Sequence, residues 1–243
     1  MTSLEMYNEF LVKYNILTNY EGLALTKREV SLFLTQAQEN IADQYRALGD
    51  STEARSSILS ALKDQVVYTE FTPSQYYPDS YEVTIPSNFY YKLHERVDTQ
   101  ITADIDCYTN PTTLLAQRVK PITEDYYNLN IGNPFKQPYP ELVWRVTNWG
   151  RDAQNFVLIC DDYFKVVKYT LNYYIIPTPI IVEGSTGASI RGYLATSHSD
   201  CVLSSTIHSE IVQEAIRLAT VANKDQLGIQ IQQIEKQLND LRN

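Results

Sequence analysis

Gln154-Asn155-Phe156-Val157-Leu158-Ile159-Cys160-Asp161-Asp162-Tyr163-Phe164-Lys165-Val166-Val167-Lys168-Tyr169-Thr170-Leu171-Asn172-Tyr173-Tyr174-Ile175-Ile176-Pro177 is the stretch on which the fold turns. Phe156–Cys160 is a continuous apolar run. After it, Val167, Tyr169, Leu171, Tyr173 and Ile175 point one way, with Lys168, Thr170 and Asn172 opposite, which is the two-residue period of a long strand. The Asp161-Asp162 connection suggests a hairpin, although Asp-Asp is a weaker turn signal than Asp-Gly. Upstream, Leu142, Trp144 and Val146 alternate with Arg145 and Thr147. An antiparallel meander of 141–147, 155–160 and 163–176 is therefore expected at the centre of the fold. Tyr81, Val83 and Ile85 add a short one-sided strand closed by Pro86. Pro177 and Pro179 end the long strand in an extended exit, and Gly184, Gly187 and Gly192 mark 183–192 as a flexible loop.

Outward from this region the composition changes. Of 19 tyrosines, four precede residue 65, fifteen lie between 65 and 200 and none follows; all ten prolines fall between Pro73 and Pro179. Proline is costly in helices and aromatic residues favour pleated surfaces, so the middle reads as strands and loops and the ends as helices. The expected class is α+β, in three stretches: an N-terminal helical region (1–64), a Tyr/Pro-rich β region (65–200) and a C-terminal helical region (201–243). Together they are expected to make one structural domain with a protruding tail.

Leu4, Tyr7, Phe10, Leu11 and Tyr14 predict a first helix over 4–17. Thr26-Lys27-Arg28-Glu29 is a capping box: the Thr hydroxyl accepts a free backbone N–H, and the Glu reaches back to the cap amide. Val30, Phe33, Leu34, Ala37, Ile41, Tyr45 and Leu48 follow on one face before Gly49. Asp50-Ser51-Thr52-Glu53 repeats the capping logic ahead of Ile58, Leu59 and Leu62. Near the C-terminus, Ile207, Ile211, Ala215, Leu218 and Ala222 make a narrow apolar face. From Leu227 onward the pattern runs across Gly228: Leu227, Ile231, Ile234, Leu238 and Leu241 are spaced 4, 3, 4, 3, a two-heptad seam. Two heptads are too short to stand alone in water, so the seam must lie on the protein's own core or on a neighbouring subunit.

A net charge of −9 on 243 residues argues against binding built on phosphate neutralisation, which needs surplus Lys and Arg. No apolar run approaches the ~18–20 residues of a membrane span, so no membrane partner is expected. Met1-Thr2-Ser3-Leu4-Glu5 lacks the basic and apolar parts of a secretory signal. Three cysteines without a C-x-x-C pair suggest a chain made in a reducing compartment.

Catalytic chemistry is sparse. Gly184-Ser185-Thr186-Gly187 lacks the Lys-Ser/Thr and the strand-to-helix setting of a phosphate loop. His198, Cys201 and His208 are potential zinc donors at a spacing that matches no zinc module. Asp104/Asp106 and Asp161/Asp162 could serve as paired acids, although adjacent acids usually form turns. No enzyme activity, metal or cofactor is expected. The tyrosine doublets (Tyr76-Tyr77, Tyr90-Tyr91, Tyr126-Tyr127, Tyr173-Tyr174) admit two readings. Each pairs apolar area with a polar tip, suiting surfaces buried on assembly or rings that stack on sugars. The candidate oligomer or partner interface is Leu227, Ile231, Ile234, Leu238 and Leu241, with Tyr174 and Tyr127 as outward rings.

Several segments read together carry a resemblance. They are Val30-Ser31-Leu32-Phe33-Leu34-Thr35-Gln36-Ala37-Gln38-Glu39; Val119-Lys120-Pro121-Ile122-Thr123; Tyr126-Tyr127; and Asn133-Pro134-Phe135-Lys136. Tyr173 to Ile181, His208-Ser209-Glu210-Ile211-Val212 and Ala215-Ile216-Arg217-Leu218-Ala219 complete the order. This order resembles the head-to-tail connector (neck ring or adaptor) proteins of crAss-like tailed bacteriophages over about residues 4–220. The resemblance implies a virion structural protein, assembled in the host cytoplasm. It would form a closed ring of commonly twelve copies beneath the portal, stacked with other neck or tail rings. Such a ring surrounds the channel for double-stranded DNA without sequence-specific contact and serves packaging retention and ejection. Two alternatives stand beside it: a Tyr-rich carbohydrate-binding or host-adhesion module, and a hydrolase using paired carboxylates.

Overall fold

The N-terminal helices begin where hydroxyl and carboxylate caps place them. Thr2 and Glu5 make one reciprocal box (Thr2 N to Glu5 Oε2, 2.8 Å; Glu5 N to Thr2 Oγ1, 3.2 Å) ahead of α1, Ser3–Leu17. Thr26 and Glu29 make the expected second one (2.7 and 3.3 Å) ahead of α2, Lys27–Ala47. Strands β1 (Lys63–Tyr68), β2 (Thr72–Pro73), β3 (Ser80–Thr84), β4 (Phe89–Ile101) and β5 (Thr113–Ile122) follow. A short helix, α3 (Glu124–Asn130), leads to β6 (Leu142–Trp149), β7 (Gln154–Ile159) and β8 (Phe164–Ile175). The small β9 (Ser189–Ile190) and β10 (Tyr193–Leu194) precede a last helix, α4, over 208–222. The computed structural model describes residues 1–17, 24–47, 57–102, 112–149, 154–182, 189–190, 193–194 and 197–222. Helices and one large mixed sheet make the class α+β.

Two compact units divide the chain: Met1–Leu62 with Pro177–Asn243, and Lys63–Ile176. In the first, α1 buries Ser3, Met6, Phe10 and Tyr14. Leu4, expected on that face, is 42% exposed, because the buried stripe starts one position earlier. On α2 the buried face includes Ser31, Thr35 and Gln38 beside Val30, Leu34 and Ile41. These polar groups hold the extended exit after Pro177, a segment whose one described ladder contact is an isolated bridge from Ile181 to Ser199. Ser31 Oγ accepts from Val182 N (3.1 Å), Thr35 Oγ1 accepts from Ile180 N (3.1 Å), and Gln38 Nε2 donates to Thr178 O (2.9 Å). Buried backbone groups demand partners, and here α2 side chains replace a neighbouring strand. Ile180, Ile181 and Val182 can then bury completely. The buried face of α4 differs from the one the sequence suggested: His208, Val212, Ile216 and Ala219 join Ile211 and Ala215, with Ile207 buried in the turn before the helix, whereas Leu218 and Ala222 are half-buried.

In the second unit the eight strands run in the order β1-β8-β4-β5-β6-β7-β3-β2. This corrects the meander. β6 and β7 pair antiparallel as expected, but β7 continues to β3, whereas β8 pairs with β1 and β4. Asp161-Asp162 therefore carries the chain across the unit and forms no hairpin. The pair lacks the Gly that makes the second position of a two-residue hairpin turn easy to form, since Asp adopts φ > 0 less readily than Gly. The central region is also not wholly antiparallel: β5 and β6 are parallel, joined by a crossover through α3.

The continuous apolar run of β7 now has a reason. Phe156, Leu158 and Cys160 face one core with Val83, Val97, Val143, Phe164, Tyr169 and Leu171; Val157 and Ile159 face another with Tyr127, Trp144 and Val146. The first core gathers side chains from β3, β4, β6, β7 and β8, and Phe89 meets both Phe156 (6.0 Å between centroids) and Tyr173 (5.6 Å). The sheet thus curls so that its two halves face each other. β5 is the corner: Thr113, Leu114 and Gln117 pair with β4, then Arg118–Ile122 pair with β6. Ala116 makes the bend with φ 56°, a left-handed conformation costly for a residue with a Cβ, and Asp98 Oδ1 accepts its N–H at 2.8 Å.

Candidate interaction surfaces

On the helical unit, α1 ends in apolar residues that its own core does not take. Val12, Ile16 and Leu17 are 60%, 59% and 65% exposed. Among the described residues, Lys13, Ile16 and Leu17 of α1 and Gln213, Ile216, Arg217 and Thr220 of α4 line an open groove of about 480 Å³. Its cations sit on their own helices' acids: Lys13 pairs with Glu9, and Arg217 donates to Glu214 at 2.6 and 2.7 Å. Arg217 and Asn40 hold the Glu214 carboxyl below the usual range. The floor of the groove is left apolar.

On the β unit, α3 is pinned at both ends. Thr123 Oγ1 accepts from Tyr126 N, and Ile131 N donates to Tyr127 O. Tyr127 buries against Tyr77 (centroids 4.7 Å, edge-on), and Tyr126 stands edge-on to Trp144 (5.6 Å) with Lys120 Nζ 4.4 Å above its ring. Directly after it, Asn133 Oδ1 accepts from Phe135 N (3.0 Å) to cap a short 3-10 turn, Pro134–Lys136. This fixed turn displays Phe135 at 96% exposure, near Leu129 (82%) and Ile131 (50%) in sequence. The Asn133 cap and Pro134 thus hold the Phe135 ring outward.

The tyrosines fall differently from expectation. Tyr127 and Tyr174 are 7% and 3% exposed, and Tyr173 is also 3%. Both members of the 173–174 doublet are covered because β8 is a central strand flanked by β1 and β4. The outward rings among the described residues include Tyr76, Tyr91, Tyr139 and Tyr163. The expected seam, Leu227, Ile231, Ile234, Leu238 and Leu241, lies outside the described residues, as do Asp104, Asp106 and the loop from Gly184 to Gly187. Phe135, Leu129, Ile16 and Leu17 were missed. Their signal was present: an apolar residue inside an Asn-Pro turn, and apolar residues on α1 beyond the 3, 6, 10, 14 stripe.

Titratable groups serve structure where the described residues show them. His208 is buried, its Nδ1 3.0 Å from the Met1 amine and its Nε2 2.9 Å from Leu203 O, so neither ring nitrogen faces a metal. Burial pushes the Cys201 thiol up to about 11 and that of Cys160 up to about 12. Asp162 does not act with Asp161 alone: its hydrogen bond raises the Asp79 carboxyl above the usual range. Within the curled sheet, Arg145 Nε lies 3.0 Å from Glu95 Oε2, both side chains under a tenth exposed. The contact is Coulombic, since that N–H is not aimed along it. Tyr169 donates to the same oxygen at 2.8 Å, Lys92 pairs with Glu95, and the Arg145 guanidinium lies 4.3 Å from the centre of the Phe156 ring. Burial first, then the Glu95 charge, pushes the Tyr169 phenol up, so it remains a donor.

Comparison with known proteins agrees with a reading through surfaces. The family model described as Phage tail ring protein 3/4 matches residues 1–230. Ring protein 4/5 of Bacteroides phage crAss001 is 26% identical over 243 residues, covering 94% of this chain and 96% of that protein. Ring protein 3 of the same phage is 26% identical over 239 residues, covering 94% and 99%. Among the described residues no helix is long and apolar enough to cross a membrane. With full-length matches on both sides, this chain belongs to the phage tail ring protein 3/4 family, as a structural ring subunit of a virion.

Proposed function

We propose that the chain forms a closed ring in the phage neck, between the portal and the tail, with twelve copies surrounding the channel for double-stranded DNA. It joins portal to tail, stacks on other neck or tail rings, and serves packaging retention and ejection. Assembly takes place in the host cytoplasm. One observation carries this reading: each subunit displays two dissimilar apolar surfaces, the groove of α1 and α4 and the Phe135 turn. A ring closed by rotation needs a heterologous interface, in which one patch meets a different patch on the next copy. The terminal seam of Leu227, Ile231, Ile234, Leu238 and Leu241 supplies a further apolar edge for a partner. A net charge of −9 suits a conduit whose wall repels phosphates, letting DNA slide.

The role is structural and not enzymatic, in keeping with the names of the relatives. A sugar-binding module draws less support, because Tyr127, Tyr173 and Tyr174 are spent on the chain's own interior. Native mass spectrometry and particle imaging of the purified chain, alone and with its portal, test the proposal. Closed rings or a firm portal complex are expected. A chain that stays single at high concentration and ignores the portal overturns it.

A further inference from the structure

We infer that the groove between the end of α1 and α4 is the seat for the terminal tail of a neighbouring copy, residues 229–241. The inference rests on the ring reading above and adds which surfaces meet. The groove is apolar along its floor, and Ile16 and Leu17 on its α1 wall are 59% and 65% exposed. The 21 residues 223–243 follow the last described residue of α4, two positions beyond Thr220 at the groove's end. Their sequence places Ile231, Ile234 and Leu238 at steps of three and four, one stripe of a helix.

The dimensions agree. The α4 wall runs from Gln213 to Thr220, and Ile231 to Leu238 covers the same number of residues. At a rise of about 1.5 Å per residue each is about 10 Å long, so two turns of tail fill the groove. An isolated helix of two turns is marginal in water, so a tail bound this way would draw its stability from the groove. Seating it on the next subunit turns a wasted edge into a head-to-tail link, because the tail and the groove are different surfaces of one chain. Repeated around the ring, every groove receives one tail and every tail finds one groove.

Two full-length variants test this: Leu17→Glu blocks the groove at an exposed position, and Ile234→Glu blocks the tail. Circular dichroism confirms that both stay folded, and sedimentation velocity follows assembly across concentration. Wild type assembles, and each variant needs at least a tenfold higher concentration for half-assembly. Mixed in equal amounts, the variants form one-to-one pairs and nothing larger, since the mixture retains one good tail and one good groove per pair. Variants that assemble like wild type overturn the seat and leave the ring reading intact. Variants that are single both alone and when mixed place the tail on its own chain and overturn the neighbour as occupant. A wild type that is single throughout overturns both.

Discussion

Removing Arg145 alone from the curled sheet should unfold the β unit far more readily than removing Arg145 and Glu95 together. The 3.0 Å approach of Arg145 Nε to Glu95 Oε2 corresponds to about 5–6 kcal/mol of attraction at an effective dielectric of about 20. Taking each ion out of water costs several kcal/mol, so the pair as a whole contributes little net stability. Loss of one partner is another matter. In Arg145→Met the Glu95 carboxylate, with a side chain 5% exposed, keeps, among the described residues, the Tyr169 hydroxyl and the more exposed Lys92. The expected cost is about 3–5 kcal/mol. The double variant Glu95→Met/Arg145→Leu fills the same interior with apolar atoms; measured in a Tyr169→Phe background, so that no buried phenol hydroxyl loses its acceptor with Glu95, it should lie within about 1 kcal/mol of that background, or above it.

Both tryptophans, Trp144 and Trp149, lie in β6, so fluorescence during urea unfolding reports on this unit specifically. With a slope of about 2 kcal/mol per molar urea, the single variant should lose about 1.5–2.5 M from its midpoint and the double almost none from that of its Tyr169→Phe background. A single-variant shift below about 0.3 M, or a double as damaged as the sum of two singles, refutes the argument that Glu95 depends on Arg145 for its burial.

Phe135→Ser should leave the melting curve unchanged within about 0.5 kcal/mol, since an almost fully exposed ring supports no core, yet weaken self-assembly or portal binding at least ~tenfold. Unaltered assembly by sedimentation would remove the Phe135 turn from the interface. Thr35→Val keeps the shape of α2 but takes the acceptor from the buried Ile180 N–H, at a cost of about 1–3 kcal/mol. Amide exchange at Ile180 should accelerate, and an unchanged rate would show that the exit segment does not need α2. Asp200 Oδ1 accepts from Ser3 N at 2.6 Å, and this backbone bond holds its carboxyl below the usual Asp range. A lowered native pKa means that the unfolded chain binds the proton first. The stabilisation is therefore complete above the ordinary Asp value of about 3.9 and is lost as pH falls through the lowered one. An NMR titration of Asp200 with its midpoint at or above about 3.9 would contradict this.

The parts of the fold legible in the sequence are those in which burial and local chemistry coincide. The Thr26–Glu29 box marks the start of α2, and the alternations at 142–147 and 167–175 mark β6 and β8, because each signal is local, although both strands are covered on both faces (Val143, Trp144, Arg145 and Val146; Thr170 and Tyr174 beside Tyr169, Leu171 and Tyr173). β4 gave no such pattern. Its inward positions are Glu95, Val97, Thr99 and Ile101, and two of the four are polar. Pairing order was hidden for another reason: the turn at Asp161-Asp162 is short enough for a hairpin, and only the long-range cores decide that β8 joins β4 and not β7. The interface positions expected at Tyr127 and Tyr174 were placed by residue type, which does not distinguish a phenol ring in a core from one at an edge.

The exceptions to binary patterning fall into two groups, and the difference between them shows where assembly should be sought. Polar residues that point inward have partners far along the chain: Glu95 meets Arg145 and Tyr169, and Ser31, Thr35 and Gln38 meet the backbone of 178–182. Each exception is resolved within one unit, so it explains folding and calls for nothing outside. Apolar residues that point outward, Phe135, Leu129, Ile16 and Leu17, remain at 59–96% exposure. Burying an apolar side chain contributes about 1.5–3 kcal/mol, which here folding has left unclaimed. In a family whose members form rings, that remainder is available to the next subunit, and substitutions at these positions should separate assembly from stability.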